Sequence, residues 1–316
     1  MTENAELTRF VTPPPVPVDA HGNWSAVEAM LGTPLPEDYK HLVETYGWGE
    51  FCDYLNLHTP FGTSRHNGLA WQSGRPSGAA ARDRERHPYP LHPAPGGLLI
   101  WGTTIDADRL CWLTTGTAEN WPVVVWSGEG RYEPHPMGAA GFVEAWARGR
   151  VDSRLLADME PGPAPWFNAF RPRDHRCLRL TEGPLAHDRR LAILREALAP
   201  TADRGTWRSE QGDSGQDHFA TVGTDWLLTY DMSRPHQIRI SFPPEDGAAA
   251  RRHLFAAVRR MRCEVTRISA SDGVPLPAWD TVADEDGAGV GGACLEGEAQ
   301  AEQPACEVTA PQRITR

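Results

Sequence analysis

The sequence predicts an α+β protein with N-terminal helices, an antiparallel meander sheet and a closing helix, followed by a second small α+β domain and a disordered tail. Apolar residues recur at helical spacing between positions 24 and 46. Four short segments rich in β-branched and aromatic residues follow, separated only by turn-forming residues. A proline-rich stretch then precedes a second set of helix and strand patterns. The length of 316 residues suits two domains.

The first two helices are predicted from apolar stripes and from end signals. Trp24, Val27 and Leu31 share one face of a helix over about residues 24–31. Pro36 suits the first position of the next helix, where its missing N–H leaves no bond unmade. Gly47 suits a left-handed C-cap at the end of that helix. Between them, apolar residues recur at i, i+3, i+4 and i+7. This stripe consists of Tyr39, Leu42, Val43 and Tyr46.

The meander is predicted from four strand-like segments and the short connections between them. Connections this short can join only antiparallel neighbours. A helix over about residues 141–148 closes the unit, so the first domain is expected to span residues 19–150. The strand-like segments are Leu98–Gly102, Arg109–Thr114, Pro122–Trp126 and Arg131–Glu133.

Two motifs carry a resemblance to a known family. Residues 31–39 read LG-x-x-LP-x-x-Y, and residues 46–49 read YG-x-G. The chain over about residues 20–150 therefore resembles the SUKH superfamily, whose order is helices, meander and closing helix. Most bacterial members are thought to be immunity proteins that bind a toxin. Many members carry a DGGGD-like hairpin turn, whereas this turn reads TTIDAD and keeps only Asp106 and Asp108.

The remaining segments are predicted from composition and periodicity. Residues 1–18 contain a polyproline-like run and are expected to form a flexible tail. Residues 151–175 form a Pro-rich linker, and residues 176–270 a second α+β domain of unknown family. Residues 271–316 are acidic, Gly- and Ala-rich and nearly free of periodicity, so we expect a disordered acidic tail.

The charge and the cysteines restrict the classes of partner. The formal net charge is −11, which disfavours direct nucleic-acid binding because phosphate attraction supplies most of that affinity. The six cysteines include no CxxC pair, so a reduced, cytoplasmic protein is expected. No run of 18 apolar residues occurs, so we expect no membrane partner.

The motifs that suggest catalysis lack the residues that the chemistry requires. A GDSG sequence at 212–215 resembles a protease nucleophile loop, but no segment supplies its histidine base. The 12 histidines show no zinc-ligand spacing, and no phosphate-binding glycine loop is present. We therefore expect no enzyme, no metal and no cofactor, although an enzyme in residues 176–270 stays an open alternative.

The functional hypothesis is an immunity-type protein that neutralises a cognate toxin, such as a nuclease or deaminase, by protein–protein contact. An acidic surface would steer such a protein to the basic cleft of the toxin. The alternative is a regulatory or scaffold interaction protein of the same superfamily. The residues predicted to bind the partner are one turn aromatic and five acidic residues in or beside the meander turns. They are Trp48, Asp106, Asp108, Glu119, Glu129 and Glu133.

Overall fold

The computed structural model divides the chain into two compact units, Met1–Arg171 and Pro172–Arg316. Among the residues that the structure describes, the first unit combines four α-helices with a seven-stranded sheet, and the second combines two α-helices with a six-stranded sheet. This arrangement confirms the predicted α+β class with antiparallel sheets. The structure describes residues 3–62, 87–127, 130–156, 164–209, 214–232, 236–270, 273–276 and 279.

The helices of the first unit pack their apolar stripes against the sheet. Helix α3 buries the four predicted stripe residues, and Tyr39 contacts Trp112 edge-on with ring centroids 4.8 Å apart. Trp101 and Trp112 are fully buried in the same core. The helices are α1 Glu3–Phe10, α2 Trp24–Leu31, α3 Glu37–Tyr46 and α4 Ala139–Ala147, and a short 3-10 helix spans Ala118–Asn120.

The first sheet is a fully antiparallel meander with one additional edge strand. Its strand order is β6-β5-β4-β3-β2-β1-β7. Strands β3 to β6, which the sequence predicts from their short connections, follow one another in chain order, and β1 and β2 extend the same order. The strands are β1 Gly49–Phe51, β2 Leu55–Leu57, β3 Leu98–Thr104, β4 Arg109–Leu113, β5 Val123–Trp126, β6 Tyr132–His135 and β7 Phe167–Ala169.

Strand β7 lies within residues 151–175, so the prediction of a simple linker there is wrong. The strand pairs antiparallel with β1, with Glu50 opposite Asn168. Its Phe167 is only 7% exposed and packs on Tyr46 with ring centroids 5.1 Å apart. The segment therefore completes the core of the first unit.

The prediction of a flexible tail over residues 1–18 is also wrong. Residues 3–10 form α1, and the side chains of Leu7 and Val11 are fully buried in the core of the first unit. The Tyr46 hydroxyl donates to the Val11 carbonyl at 2.7 Å. Val18 forms an isolated parallel bridge with Gly47. The N-terminal segment is thus part of the fold.

The second unit is a two-layer structure. Its sheet has the strand order β13-β8-β12-β11-β10-β9, and every pair is antiparallel. Helices α5 and α6 share a core with one face of the sheet. The elements are β8 Asp174–Leu180, α5 His187–Ala197, β9 Thr201–Arg208, β10 Gly215–Thr221, β11 Leu227–Asp231, β12 Gln237–Phe242, α6 Gly247–Arg260 and β13 Val265–Ser269, with a 3-10 helix at Pro244–Asp246.

The predicted start of the disordered tail at residue 271 is too early. Pro275 bridges to Ser269. The Trp279 ring stacks on Phe242 at a centroid distance of 5.8 Å and packs, partly buried, against the core of the second unit. Apart from residues 273–276 and 279, the predicted tail lies outside the described residues.

Candidate functional site

Trp48 lies in the turn between α3 and β1, and its indole is half-buried. The ring packs edge-on against Phe170, with centroids 5.3 Å apart. The backbone N–H of Trp48 donates to the Val18 carbonyl at 2.6 Å, and its carbonyl accepts from the N–H of Phe170 at 2.9 Å. Trp48 therefore joins three segments that are distant in the sequence, so it has a structural role in the fold.

Asp106 and Asp108 lie in the turn between β3 and β4, but only Asp106 is exposed. Asp108 is 8% exposed, and one of its carboxylate oxygens accepts from the Thr104 hydroxyl at 3.3 Å. The same hydroxyl accepts from the Asp108 N–H at 3.1 Å. Asp108 thus closes the turn, while Asp106 presents its charge to solvent beside Ala107, which has a φ of +66°.

Glu133 anchors the chain that follows α4. Its carboxylate accepts from the Ser153 hydroxyl and from the Arg154 backbone N–H, the latter at 2.9 Å. Glu129 lies outside the described residues. The predicted acidic residues therefore differ in role, and most of those described have structural bonds.

Glu119 joins the meander to the start of helix α3. It lies in the short 3-10 helix, and both carboxylate oxygens lie 3.3 Å from the backbone nitrogen of Glu37. The first N–H groups of a helix have no partner within the helix, and the helix dipole favours negative charge there. Glu119 consequently stabilises α3, and its negative charge lies close to the carboxylates of Glu37 and Asp38.

Asp38 connects α3 to a second helix start. Its carboxylate accepts from the backbone N–H of Ala140 in the first turn of α4 at 3.0 Å. Burial raises the pKa of the Asp38 carboxyl, and the nearby Glu119 charge raises it further, while backbone hydrogen bonds oppose both. Three elements of the first unit are therefore linked through two carboxylates.

Lys40 is the single lysine of the chain, and it lies between the carboxylates of Glu28 and Glu37. Its ammonium group is 2.7 Å from Glu28 and 2.7 Å from Glu37. A backbone hydrogen bond from Leu35, followed by the Lys40 contact, lowers the pKa of Glu28. Although burial works against its charge, hydrogen bonds to the two glutamates raise the pKa of Lys40. The contact between Glu28 and Lys40 therefore favours the charged forms of both side chains.

We call this group the α3 acidic cluster: Glu28, Glu37, Asp38 and Glu119, together with Lys40. Four carboxylates and one ammonium give the cluster a formal charge of −3. Glu37 has a side chain that is 60% exposed, and Glu119 is exposed as well. Only Glu119 was predicted as a site residue. The sequence does not single out Glu37 and Asp38 as site residues, because acidic residues are common in the first turn of any helix.

Among the described residues, no group of three or more His, Cys, Asp and Glu side chains is placed to hold a metal ion. None of the helices in these residues combines the length and the apolar character that a bilayer crossing requires.

The second unit contains a separate group of ionisable side chains. The Nε2 atom of His187 lies 2.7 Å from an Asp217 oxygen, and the Arg208 guanidinium contacts both Asp217 oxygens at 2.8 and 3.0 Å. Although burial opposes ionisation, these two hydrogen-bonding partners lower the pKa of Asp217. The His187 ring stacks on Tyr230 at 4.9 Å. No sequence motif indicates this group, because its members are separated along the sequence by at least the length of a strand.

His236 lies at the edge of the same group. A guanidinium nitrogen of Arg190 lies 2.9 Å from Nε2 of His236. Because a guanidinium has only donors, this contact favours the neutral imidazole, with Nε2 as the acceptor. Burial, followed by the charge of Arg190, lowers the pKa of His236, although Glu182 at 3.3 Å acts in the opposite direction.

We expect acid to destabilise the second unit through His236. Below its ordinary pKa of about 6.5, the unfolded chain binds a proton that the folded chain does not, so stability is lost as the pH falls below that value. His236→Gln, which keeps an acceptor, should reduce the change in melting temperature between pH 7.5 and pH 5. The control variant His253→Gln, which replaces an exposed histidine, should show the same change in melting temperature as wild type. Equal pH dependence in wild type and His236→Gln would contradict the assignment.

The geometry of the first unit defines its class. A layer of helices covers one face of an antiparallel meander, and the helix starts are tied together by carboxylates. Residues 21–142 match the family model SUKH_6, described as SMI1-KNR4 cell-wall. This segment, which runs from before α2 into α4, is a domain of the SUKH superfamily, and the resemblance predicted from the sequence is confirmed. Comparison with curated proteins and comparison with solved structures each returned no match.

Proposed function

We propose that the chain is an immunity-type protein whose SUKH domain binds a cognate protein toxin and occludes its active site through the α3 acidic cluster. Membership of the SUKH superfamily supports a binding role, since immunity proteins are common in it. The proposal requires no cofactor and no catalytic step.

The observation that carries the proposal is the convergence of carboxylates from separate elements around the exposed Glu37 and Glu119. Glu119 reaches the cluster from the meander, Glu37 and Asp38 from α3. Each carboxylate has a defined hydrogen bond, so the charges are held in place before a partner arrives. Preorganised negative charge of this kind speeds association with a basic cleft, such as the nucleic-acid-binding cleft of a nuclease or deaminase toxin.

The cluster replaces the broad meander surface as the proposed contact. Reversing the charges of Glu119 and Glu133 would also break their bonds to Glu37 and to Arg154. Such a variant would confuse a binding defect with a folding defect. Replacement by glutamine removes the charge and keeps a carbonyl oxygen as acceptor.

We predict that the double variant Glu37→Gln/Glu119→Gln associates with the toxin more slowly than wild type, and most strongly so at low salt. The partner is obtained by affinity purification from the native host with the full-length chain as bait. Association rates are then measured between 20 and 500 mM salt, over which the Debye length falls from roughly 20 Å to about 4 Å. A decrease of about tenfold at the lowest salt is within the range of electrostatic steering.

Two controls separate the site from general charge. Asp106→Asn removes an exposed charge at the β3–β4 turn, and Glu264→Gln removes one in the second unit. Both should leave the association rate nearly unchanged. If Asp106→Asn slows association as much as the double variant, the contact lies at the meander turns instead. If none of the variants changes the rate or its salt dependence, acidic steering is not the mechanism.

The alternative function is that of a regulatory or scaffold protein. It is favoured by the second compact unit, which lies outside the family match of residues 21–142. Recovery of several unrelated partners, rather than one basic toxin, would support it. A gene for a secreted toxin next to this one would support the immunity function.

A further inference from the structure

The second sheet has a face that helices α5 and α6 do not cover. Ile238 and Ile240 on β12 point into the core shared with α5 and α6, so Gln237 and Arg239 lie on the opposite face. Strand pairing extends this face into two rows that cross all six strands. The first row is Trp207, Gln216, Asp231, Gln237, Arg179 and Arg267, and the second is Gly205, His218, Thr229, Arg239, Cys177 and Ser269.

Three arginines adjoin one another on this face. Arg179 on β8 and Arg267 on β13 are direct cross-strand partners. On the other side of β8, Arg179 pairs with Gln237 of β12. Arg239 lies two residues after Gln237 on that strand, so Arg239 is a diagonal neighbour of Arg179. Directly opposite side chains have Cβ atoms about 5 Å apart, and diagonal ones lie about 7–8 Å apart. All three are half-buried.

Their charge is only partly compensated. Asp231 accepts from Arg239 at 3.1 Å, and this aspartate is 3% exposed. Arg267 donates to the backbone carbonyl of Gly273 at 2.9 Å, which carries no formal charge. In the part of the chain that the structure describes, Arg179 forms no ion pair. Three guanidinium groups and one carboxylate leave a net charge of +2, and like charges placed directly opposite each other destabilise a sheet.

We propose that Arg179, Arg239 and Arg267 form a binding site for a dianionic phosphate group carried by a small molecule. The net charge of +2 matches a phosphate dianion, whose oxygens accept from several guanidinium groups at once. Gln237 lies between Arg179 and Arg239 in the sheet. The side-chain oxygen of Gln237 accepts from the Cys177 thiol at 3.2 Å, so the amide nitrogen is the part of this side chain that can donate to the phosphate. The bound phosphate relieves the repulsion between Arg179 and Arg267.

The test uses the full-length chain at pH 7.5, with inorganic phosphate as the probe and sodium chloride at equal ionic strength as the reference. Calorimetric titration should show saturable binding, and phosphate should raise the melting temperature. Arg179→Gln and Arg267→Gln should each weaken binding about tenfold or more. Arg179→Lys keeps the charge but loses the planar fork, so its affinity should be intermediate.

Controls separate a built site from general positive charge and from misfolding. Arg259→Gln removes an exposed charge from α6 on the helical side and should leave phosphate affinity unchanged. Without phosphate, Arg179→Gln should melt no lower than wild type, since one repelling partner is gone. Equal loss in Arg259→Gln, equal affinity for acetate, or absence of saturable binding would each overturn the proposal. Tighter binding of an oligonucleotide without terminal phosphate than of AMP would overturn the small-molecule assignment in favour of a nucleic-acid backbone.

Discussion

Replacing Gly47 by alanine should destabilise the first unit by about 2–6 kcal/mol. Gly47 has a φ of +70° and a ψ of −161°, in a region that essentially only glycine adopts. A Cβ atom there would lie 2.3 Å from the Val18 carbonyl oxygen and 2.6 Å from the Val18 nitrogen. The backbone conformation costs about 1–3 kcal/mol for other residues, and forcing atoms into a packed contact adds about 1–3 kcal/mol.

Gly32 provides the matched control for this substitution. It also ends a helix with a positive φ, +72°, but its ψ of 17° is ordinary left-handed helix, and nothing lies within 4 Å of the position that an alanine methyl group would occupy. Gly32→Ala should therefore cost only about 1–2 kcal/mol, the usual left-handed penalty. The two variants are compared by calorimetric unfolding of the full-length chain. Equal effects would show that the Val18 contact does not decide the cost.

The comparison explains what the sequence could and could not show about the YG-x-G motif. The helical stripe and the glycine after it were sufficient to end α3 at Tyr46, as the structure has it. The close approach of Val18 was not predictable, because that residue lies in a segment whose proline content indicated a solvated tail. Local periodicity identifies an element, whereas long-range contact decides why a particular glycine is required.

The same limit applies to the short elements that were missed. Helix α1 has 8 residues and strand β7 has 3. Strand β7 is too short to show a period of 2, and most of the stability of both elements comes from packing on distant segments. Helix α2 is as short as α1, but its apolar stripe made it predictable, as repeated apolar positions or short turns did for α3 and for strands β3 to β6.

The candidate site was predictable only in composition. Acidic residues beside the meander turns were expected, and Glu119 is one of them. Its contact with Glu37 joins positions 82 residues apart, a separation that no local pattern reports. Asp108 and Glu133 look equally acidic in the sequence, yet the fold uses their carboxylates for the turn and for the Arg154 segment.

Replacing Leu7 by alanine should lower the stability of the first unit by about 2–5 kcal/mol, the usual range for a buried leucine. Leu7 is fully buried, and its helix packs in the same core as α3 and α4. Val16→Ala is the matched control, since Val16 belongs to the same N-terminal segment but is 68% exposed, and it should change stability by about 0.5 kcal/mol or less.

Removal of residues 1–11 extends the same prediction to the whole segment. The deletion exposes the core face beneath Leu7 and Val11 and leaves the buried Tyr46 hydroxyl without its acceptor. An unpaired buried hydroxyl costs about 1–3 kcal/mol in addition to the lost apolar burial. Tyr46→Phe in the shortened chain removes that hydroxyl and should recover part of the loss. An unchanged melting temperature after the deletion would instead mean that the segment is the solvated tail its prolines suggest, and that α1 contributes nothing to the core.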